Sequence, residues 1–195
     1  MSGFELPLRR DLIGQKPYGA PEDHVPVRLN VNENPYPPSE KAVAAISQAV
    51  AVAARGINRY PDRDAVDLRA ALATYLDVES GVKVNVERIW AANGSNEIMA
   101  QLFSAFGGPG TLALTFDPTY SMYPEYARDL FTTMVSIPRR SDFTIDLAAA
   151  IEDVAEHRPN LVILTSPNNP TGTSITLTEI EEISKVAQAN GALVV

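Results

Sequence analysis

The sequence predicts an α/β fold: a mostly parallel sheet with helices on both faces, preceded by a proline-rich amino-terminal arm. Three observations predict it. Strand-like and helix-like patterns alternate along most of the chain, as in βα units. Residues 161–164 form a short apolar run, which is typical of a strand covered on both faces. That run ends in the polar turn Ser166-Pro167-Asn168-Asn169-Pro170, and open α/β sheets bind ligands beyond such strand ends.

The first 38 residues lack periodicity, and we expect them to form an extended arm because seven of them are proline. A helix is expected over residues 39–55, capped by Ser39 and ended by Gly56. A second helix should open at Asp62 or Asp64 and close at Gly81.

The alternating part of the chain then supplies the sheet and its covering helices. Strands are expected near residues 88–92, 112–116, 132–137, 161–165 and 192–195. Helices are expected near residues 96–106, 120–130, 146–156 and 178–189. Because residues 192–195 look like the middle of a buried central strand, we expect the chain to be truncated there and the natural protein to continue beyond Val195.

Composition excludes several classes of function. The 16 basic and 24 acidic residues give a net charge of −8, which argues against a general nucleic-acid binder. The sequence has no cysteine, so disulfides and thiolate chemistry are excluded. His24 and His157 have no paired spacing, and we expect no metal site. Without a signal sequence or a run of about 18 apolar residues, the sequence predicts a cytoplasmic protein with no membrane span.

Some charged and glycine-rich segments are expected to have no ligand. Residues 107–110 should form a turn after a helix, and the pair Arg139-Arg140 is predicted to be solvated surface. Glu179, Glu181 and Glu182 are expected on the solvent-exposed face of a helix.

The segment Asn93-Gly94-Ser95-Asn96-Glu97 is the first candidate site. It joins a predicted strand to a predicted helix, and Gly94 allows a tight turn close to a ligand. Unpaired N–H groups at a helix start favour an anion such as phosphate. The alternative is a capped helix start with no ligand, which Glu97 also fits.

The second candidate site is the turn after the predicted strand at 112–116. There Tyr120 could stack on a flat heteroaromatic ring. Tyr123 and Tyr126 have the spacing of a packed helix face, so Tyr120 is the better functional candidate.

Together, a phosphate cradle, an aromatic ring and an asparagine pair at three successive strand ends would hold a flat, phosphorylated aromatic cofactor. In this order and combination, these segments resemble the fold-type I pyridoxal-phosphate aminotransferases, and within them the histidinol-phosphate aminotransferases. The resemblance covers nearly all of the chain. It rests on the segments 16–19, 29–37, 58–61, 93–97, 118–123 and 166–172.

The resemblance implies a role for each cofactor-binding residue. The phosphate of pyridoxal 5'-phosphate would be held by Gly94, Ser95, Asn96 and Glu97. Tyr120 would stack on the pyridine ring. Asn169 would bond to the phenolic oxygen, with Asn168 as a turn residue.

The resemblance also implies a homodimer with shared active sites. Tyr60 would reach the cofactor phosphate of the neighbouring subunit, and Tyr18, Asn32 and Tyr120 would face the substrate. Residues 1–52 would form the arm and part of the small domain, and residues 53–195 the first part of the large, cofactor-binding domain.

The reaction implied is transamination of imidazole-acetol phosphate with L-glutamate, giving L-histidinol phosphate and 2-oxoglutarate, in histidine biosynthesis. The Schiff-base lysine is expected beyond Val195, because none of the four lysines lies in the expected motif. An aromatic-amino-acid aminotransferase of the same subgroup shares every motif and stays open, and a phosphothreonine decarboxylase is a more remote relative. A non-enzymatic ligand-binding regulator would need a separate DNA-binding domain, for which the arm is too short.

Overall fold

The computed structural model describes residues 6–16, 19, 24–27 and 29–195. The chain separates into two compact units, Met1–Arg63 and Asp64–Val195.

The first unit contains one long helix, α1, over Glu40–Ala53. Ser39 caps it, because its hydroxyl oxygen accepts a hydrogen bond from the backbone N–H of Ala42 at 3.2 Å. A 3-10 turn over Ala54–Gly56 ends it, and a further 3-10 turn lies at Arg10–Leu12. The helix predicted over residues 39–55 is therefore confirmed.

The second unit has five helices and four strands. The helices are α2 (Val66–Ser80), α3 (Gly94–Phe106), α4 (Tyr123–Asp129), α5 (Leu147–His157) and α6 (Leu177–Ala189). The strands are β1 (Leu112–Asp117), β2 (Thr133–Pro138), β3 (Leu161–Val162) and β4 (Leu193–Val194).

All four strands are parallel, in the order β2-β1-β3-β4. Leu114 of β1 pairs with Val135 on one side and with Val162 on the other. Since side chains alternate along a strand, β1 supplies both faces of the sheet with apolar groups. Leu114 and Phe116 pack with α5 and α6, whereas Ala113 packs with α3 and α4. The predicted α/β fold with helices on both faces is confirmed.

The strand order reverses between β1 and β3. The chain passes from β1 to β2 on one side and then crosses to β3 on the other. The carboxyl ends of the two strands at such a reversal border a crevice, which is where doubly wound sheets bind their ligands.

Two predictions about local structure are wrong. Residues 88–92 form no strand; a 3-10 turn over Val86–Arg88 leads into an extended segment that pairs with no strand in the described part of the chain. An alternating apolar pattern becomes a strand only when a neighbour supplies its hydrogen bonds. The N-cap of the second helix is Ala65, in a left-handed conformation, and not Asp62 or Asp64.

The prediction that Arg139 lies at the solvated surface is also wrong. Arg139 is 9% exposed, and its guanidinium donates hydrogen bonds to the backbone carbonyls of Phe116 (3.0 Å) and Phe143 (3.2 Å). Burial lowers the pKa of this guanidinium, and the charge of Asp117 opposes that shift. The neighbouring Arg140 is exposed, as expected, and pairs with Asp146 at 3.0 Å.

Candidate active site

Three turns meet at the carboxyl edge of the sheet. One follows β1 and carries Thr119 and Tyr120, one follows β3 and carries Asn168 and Asn169, and the third opens α3 at Asn96. Direct hydrogen bonds join them. The Tyr120 hydroxyl donates to Asn96 Oδ1 at 3.4 Å, and the Thr119 hydroxyl donates to Asn168 Oδ1 at 3.1 Å. The three segments that the sequence singled out therefore form one contiguous site.

The start of α3 has the geometry of an anion site. Gly94 adopts φ +75°, and a side chain there would meet nothing within 4 Å, so the backbone is open to an approaching group. The backbone N–H groups of Ser95 and Asn96 have no hydrogen-bond acceptor among the described residues. Unpaired N–H groups and the helix dipole both favour a negative charge at this point.

Glu97 has a different role in this turn. Its carboxylate accepts a hydrogen bond from the backbone N–H of Asn93 at 2.6 Å and so caps the helix start. A carboxylate would repel a phosphate, so only the backbone of Glu97 is suited to face an anion.

Asn96 is held by two tyrosines. The buried Tyr126 donates its hydroxyl to Asn96 Oδ1 at 2.7 Å, shorter than the 3.4 Å contact from Tyr120. Since both donors use the carbonyl oxygen, the NH₂ of Asn96 is left to donate elsewhere.

The tyrosines divide as the sequence predicted. Tyr123 and Tyr126 are 8% and 7% exposed and belong to the packed face of α4. Tyr120 lies before the helix and is half-buried, with its ring edge-on to Tyr123 at a centroid separation of 5.6 Å. Because this contact is edge-on, it is compatible with a second flat ring stacking on Tyr120.

The two asparagines of the third turn differ in their environment. Asn168 is 2% exposed, and its side chain makes three hydrogen bonds, to Pro118, Thr119 and Thr171. Asn169 is half-buried, and its side-chain amide has no hydrogen-bond partner among the described residues. Asn169 is therefore the one whose amide can serve a ligand.

Sequence reasoning missed the threonines that link these turns. Thr165 lies within hydrogen-bond distance of the Tyr123 hydroxyl (2.8 Å) and of Thr119 (3.4 Å). The sequence did offer one signal for these residues, because Thr119 and Thr165 each lie shortly after the end of a buried strand.

Three further predicted site residues belong to the first unit. Tyr60 has a fully exposed side chain, and its turn is closed by a bond from Arg59 N–H to the carbonyl of Gly56 at 2.9 Å. Asn32 is exposed with φ +53°. Tyr18 lies outside the described residues.

Among the described residues, Lys185 is bound by two carboxylates and is not prepared for covalent chemistry. Lys185, on α6, pairs with Glu182 at 2.7 Å and Glu181 at 3.1 Å, and these bonds raise its pKa. A nucleophilic lysine needs the opposite shift. Within the described residues, no three acidic or histidine side chains are placed to share a metal ion, and no helix is long and apolar enough to cross a bilayer.

Residues 25–195 match the family model described as aminotransferase class I and II. The chain belongs to this family. The match includes all three turns of the candidate site.

Within the family, the chain is similar to curated proteins named histidinol-phosphate aminotransferase. A histidinol-phosphate aminotransferase of Bifidobacterium adolescentis is 56% identical over 96% of this chain, which covers 49% of the relative. One from Thermobifida fusca is 56% identical over 98% of this chain, which covers 50% of it. The chain thus spans about half the length of these relatives.

Solved structures support the fold. A putative histidinol-phosphate aminotransferase from Erwinia carotovora atroseptica aligns with a TM-score of 0.72 and 28% identity, over 87% of this chain and 46% of its own. A variant of Thermus thermophilus aspartate aminotransferase aligns over 100% of this chain and 50% of its own, with a TM-score of 0.73 and 24% identity.

Proposed function

We propose that the protein is a pyridoxal-phosphate-dependent aminotransferase of histidine biosynthesis. It would convert imidazole-acetol phosphate and L-glutamate to L-histidinol phosphate and 2-oxoglutarate. The observation that carries the proposal is the hydrogen-bonded meeting of three turns at the strand reversal, each offering one group that this cofactor needs.

The residues present fit pyridoxal phosphate. The unpaired N–H groups of Ser95 and Asn96, beside the open backbone of Gly94, are suited to the phosphate. The half-buried ring of Tyr120 offers a stacking surface, and the unpartnered amide of Asn169 offers a donor for the phenolic oxygen. When bound, the cofactor supplies an electron sink for the bond changes at the amino-acid carbon.

The residues of this part of the chain would bind the cofactor and orient it toward the substrate. The backbone N–H groups of Ser95 and Asn96 would hold the phosphate, and Tyr126 binds the side-chain oxygen of Asn96 at 2.7 Å. Tyr120 would stack on the cofactor ring and so help to orient a neighbouring substrate. Glu97 contributes its backbone to the anion site and its carboxylate to the helix start.

A homodimer with shared sites is part of the proposal, with Tyr60 reaching the partner's cofactor phosphate. The full exposure of Tyr60 supports this, since its hydroxyl is free to meet a group outside its own chain. Tyr18 and Asn32 would face the substrate. We also propose that residues 1–52 belong to the arm and small domain, and that the enzyme acts in the cytoplasm.

Mixed dimers test the shared site. In the full-length protein, Tyr60→Ala and Asn169→Ala should each reduce activity strongly. If Tyr60 serves the partner's site, a mixed dimer has one site with both defects and one with neither, so co-refolding the two variants restores activity. If Tyr60 acts within its own subunit, each site carries one defect and the mixture stays inactive.

Substrate choice is tested by steady-state kinetics on the full-length, cofactor-loaded protein. We expect kcat/KM for L-histidinol phosphate to exceed that for L-phenylalanine by about a hundredfold, or about 2.7 kcal/mol of transition-state discrimination. The names of the relatives support a preference for L-histidinol phosphate. Equal rates or a preference for phenylalanine would assign the protein to the aromatic aminotransferases.

A further inference from the structure

Asn168 makes more connections than a turn residue needs. Its Nδ2 donates to the carbonyl of Pro118 at 2.9 Å and to the hydroxyl of Thr171 at 2.8 Å, and its Oδ1 accepts from Thr119 at 3.1 Å. Because the Pro118 carbonyl can only accept, the orientation of this amide is fixed by chemistry. Its backbone is also engaged, by the carbonyl of Thr173 at 2.8 Å and the N–H of Gly172 at 2.7 Å.

The bonds with Pro118 and Thr119 join two turns about fifty residues apart in sequence. Pro118 and Thr119 directly precede Tyr120, and Asn168 directly precedes Asn169. A second path runs beside the first, from Tyr123 to Thr165 at 2.8 Å and from Thr165 to Thr119 at 3.4 Å. The backbone bearing the aromatic ring is thus tied to the backbone bearing the ligand amide.

We infer that Asn168 is a positioning residue that sets the distance between the Tyr120 ring and the Asn169 amide, and so the slot that receives a flat, phosphorylated aromatic ring. This inference rests on the proposed function, because it takes that ring as the ligand. Because Asn168 is only 2% exposed, it acts through Tyr120, which follows the residues that it binds, and through Asn169, which follows it in sequence. Burial matters here, since water cannot replace bonds made in a site closed to solvent.

The test compares two asparagines that each tie distant segments together. Asn160 lies at the opposite, amino end of the sheet, where its Oδ1 accepts from the backbone N–H of Leu112 at 3.1 Å. Asn168→Ala and Asn160→Ala would be made in the full-length protein. Three quantities would be measured: the Kd for pyridoxal phosphate, the pH titration of its visible absorption band, and the thermal midpoint of the cofactor-free protein.

We expect Asn168→Ala to raise the Kd about tenfold and to shift the titration of the band, because a displaced Asn169 amide no longer stabilises the phenolic oxygen. Asn160→Ala should keep both values near those of the wild type, even where its thermal midpoint falls. If Asn168→Ala lowers the midpoint while the Kd and the titration stay unchanged, the inference is wrong.

A second pair of variants decides the matter if Asn168→Ala does not fold. Thr119→Val removes the hydroxyl that reaches Asn168, whereas Thr119→Ser keeps it. The valine variant should show the weaker binding and the shifted titration, with the serine variant closer to wild type. Equal behaviour of the two variants would contradict the inference.

Failure of the proposed function is distinguishable in the same samples. A wild-type protein that binds the cofactor but transaminates neither amino acid refutes the proposed reaction and leaves the slot testable by Kd and absorption. A wild-type protein that binds no pyridoxal phosphate refutes both.

Discussion

A buried hydroxyl in the central strand lacks a partner. Thr115 of β1 is 1% exposed, and its Oγ1 finds no hydrogen-bond acceptor or donor among the described residues. A buried hydroxyl that has lost its water costs free energy unless a new bond replaces it. Thr132, which is also buried, has such a bond, since its Oγ1 accepts from the N–H of Gly108 at 2.8 Å.

Substituting valine at these two threonines should therefore have opposite effects. Valine matches threonine in shape, so the substitution mainly removes the hydroxyl. Thr115→Val should raise the free energy of unfolding by about 1 kcal/mol, and Thr132→Val should lower it by about 1 kcal/mol. Urea denaturation of both variants measures the difference. A loss of stability in Thr115→Val would mean that its hydroxyl has a partner after all.

The adjacent arginines offer a second residue-scale comparison. Arg139→Met removes two charge-assisted bonds to the carbonyls of Phe116 and Phe143, at a cost of about 2 kcal/mol in unfolding free energy. Arg140→Met removes an exposed ion pair with Asp146 and should change stability little. The urea midpoints of the two variants test this, and equal midpoints would contradict a structural role for Arg139.

At the scale of elements, the sequence predicted features that depend on nearby residues better than features that depend on distant partners. Ser39 caps α1 as expected, because capping depends only on nearby residues. The expected strand at 88–92 depends on a distant partner, and Arg69 binds this segment instead through the carbonyls of Val86 and Ile89. Arg139 was misjudged for the same reason, since its acceptor on Phe116 is 23 residues away.

The candidate site shows the same division. Motifs identified the three turns, because glycine, proline and asparagine act on the local backbone. The side-chain links among them join residues 24 to 50 positions apart, as between Asn168 and Pro118. Contacts between such distant residues cannot be predicted from the spacing of residues along the chain.

The start of α6 predicts a dependence of stability on pH. Thr176 and Glu179 form a reciprocal capping box, and the hydroxyl and N–H of Thr176 lower the pKa of the Glu179 carboxyl. A carboxyl with a lowered pKa in the folded state contributes stability that is present above its unfolded pKa. That contribution is lost as the pH falls below the ordinary glutamate pKa and through the lowered folded pKa of Glu179.

Glu179→Gln should therefore reduce stability at neutral pH and flatten its decline in acid. The amide still fills the position but cannot accept as a charged group. Thermal midpoints between about pH 7 and pH 3 would be compared with those of Glu182→Gln, whose carboxylate pairs with the exposed Lys185. Parallel curves for Glu179→Gln and the wild type would contradict the assignment.

At the scale of the whole molecule, the chain exposes much apolar surface despite its net charge of −8. Trp90 is 58% exposed in the segment that pairs with no strand, and in the described residues β4 pairs with β3 alone. A parallel sheet normally has both faces and its central strands covered. An edge that is apolar and short of partners is a template for association with another copy.

The 195-residue chain expressed by itself should therefore self-associate, and a charge on its edge strand should slow this. Leu193 lies on β4 and is 36% exposed, so Leu193→Lys places a positive charge where an incoming strand would pair. Leu177→Lys makes a matched control, because Leu177 is 85% exposed at the start of α6, away from any strand. Light scattering at equal concentration should show slower growth for Leu193→Lys than for Leu177→Lys. A wild-type chain that stays monomeric would contradict this prediction, because its exposed edge strand would then not promote association.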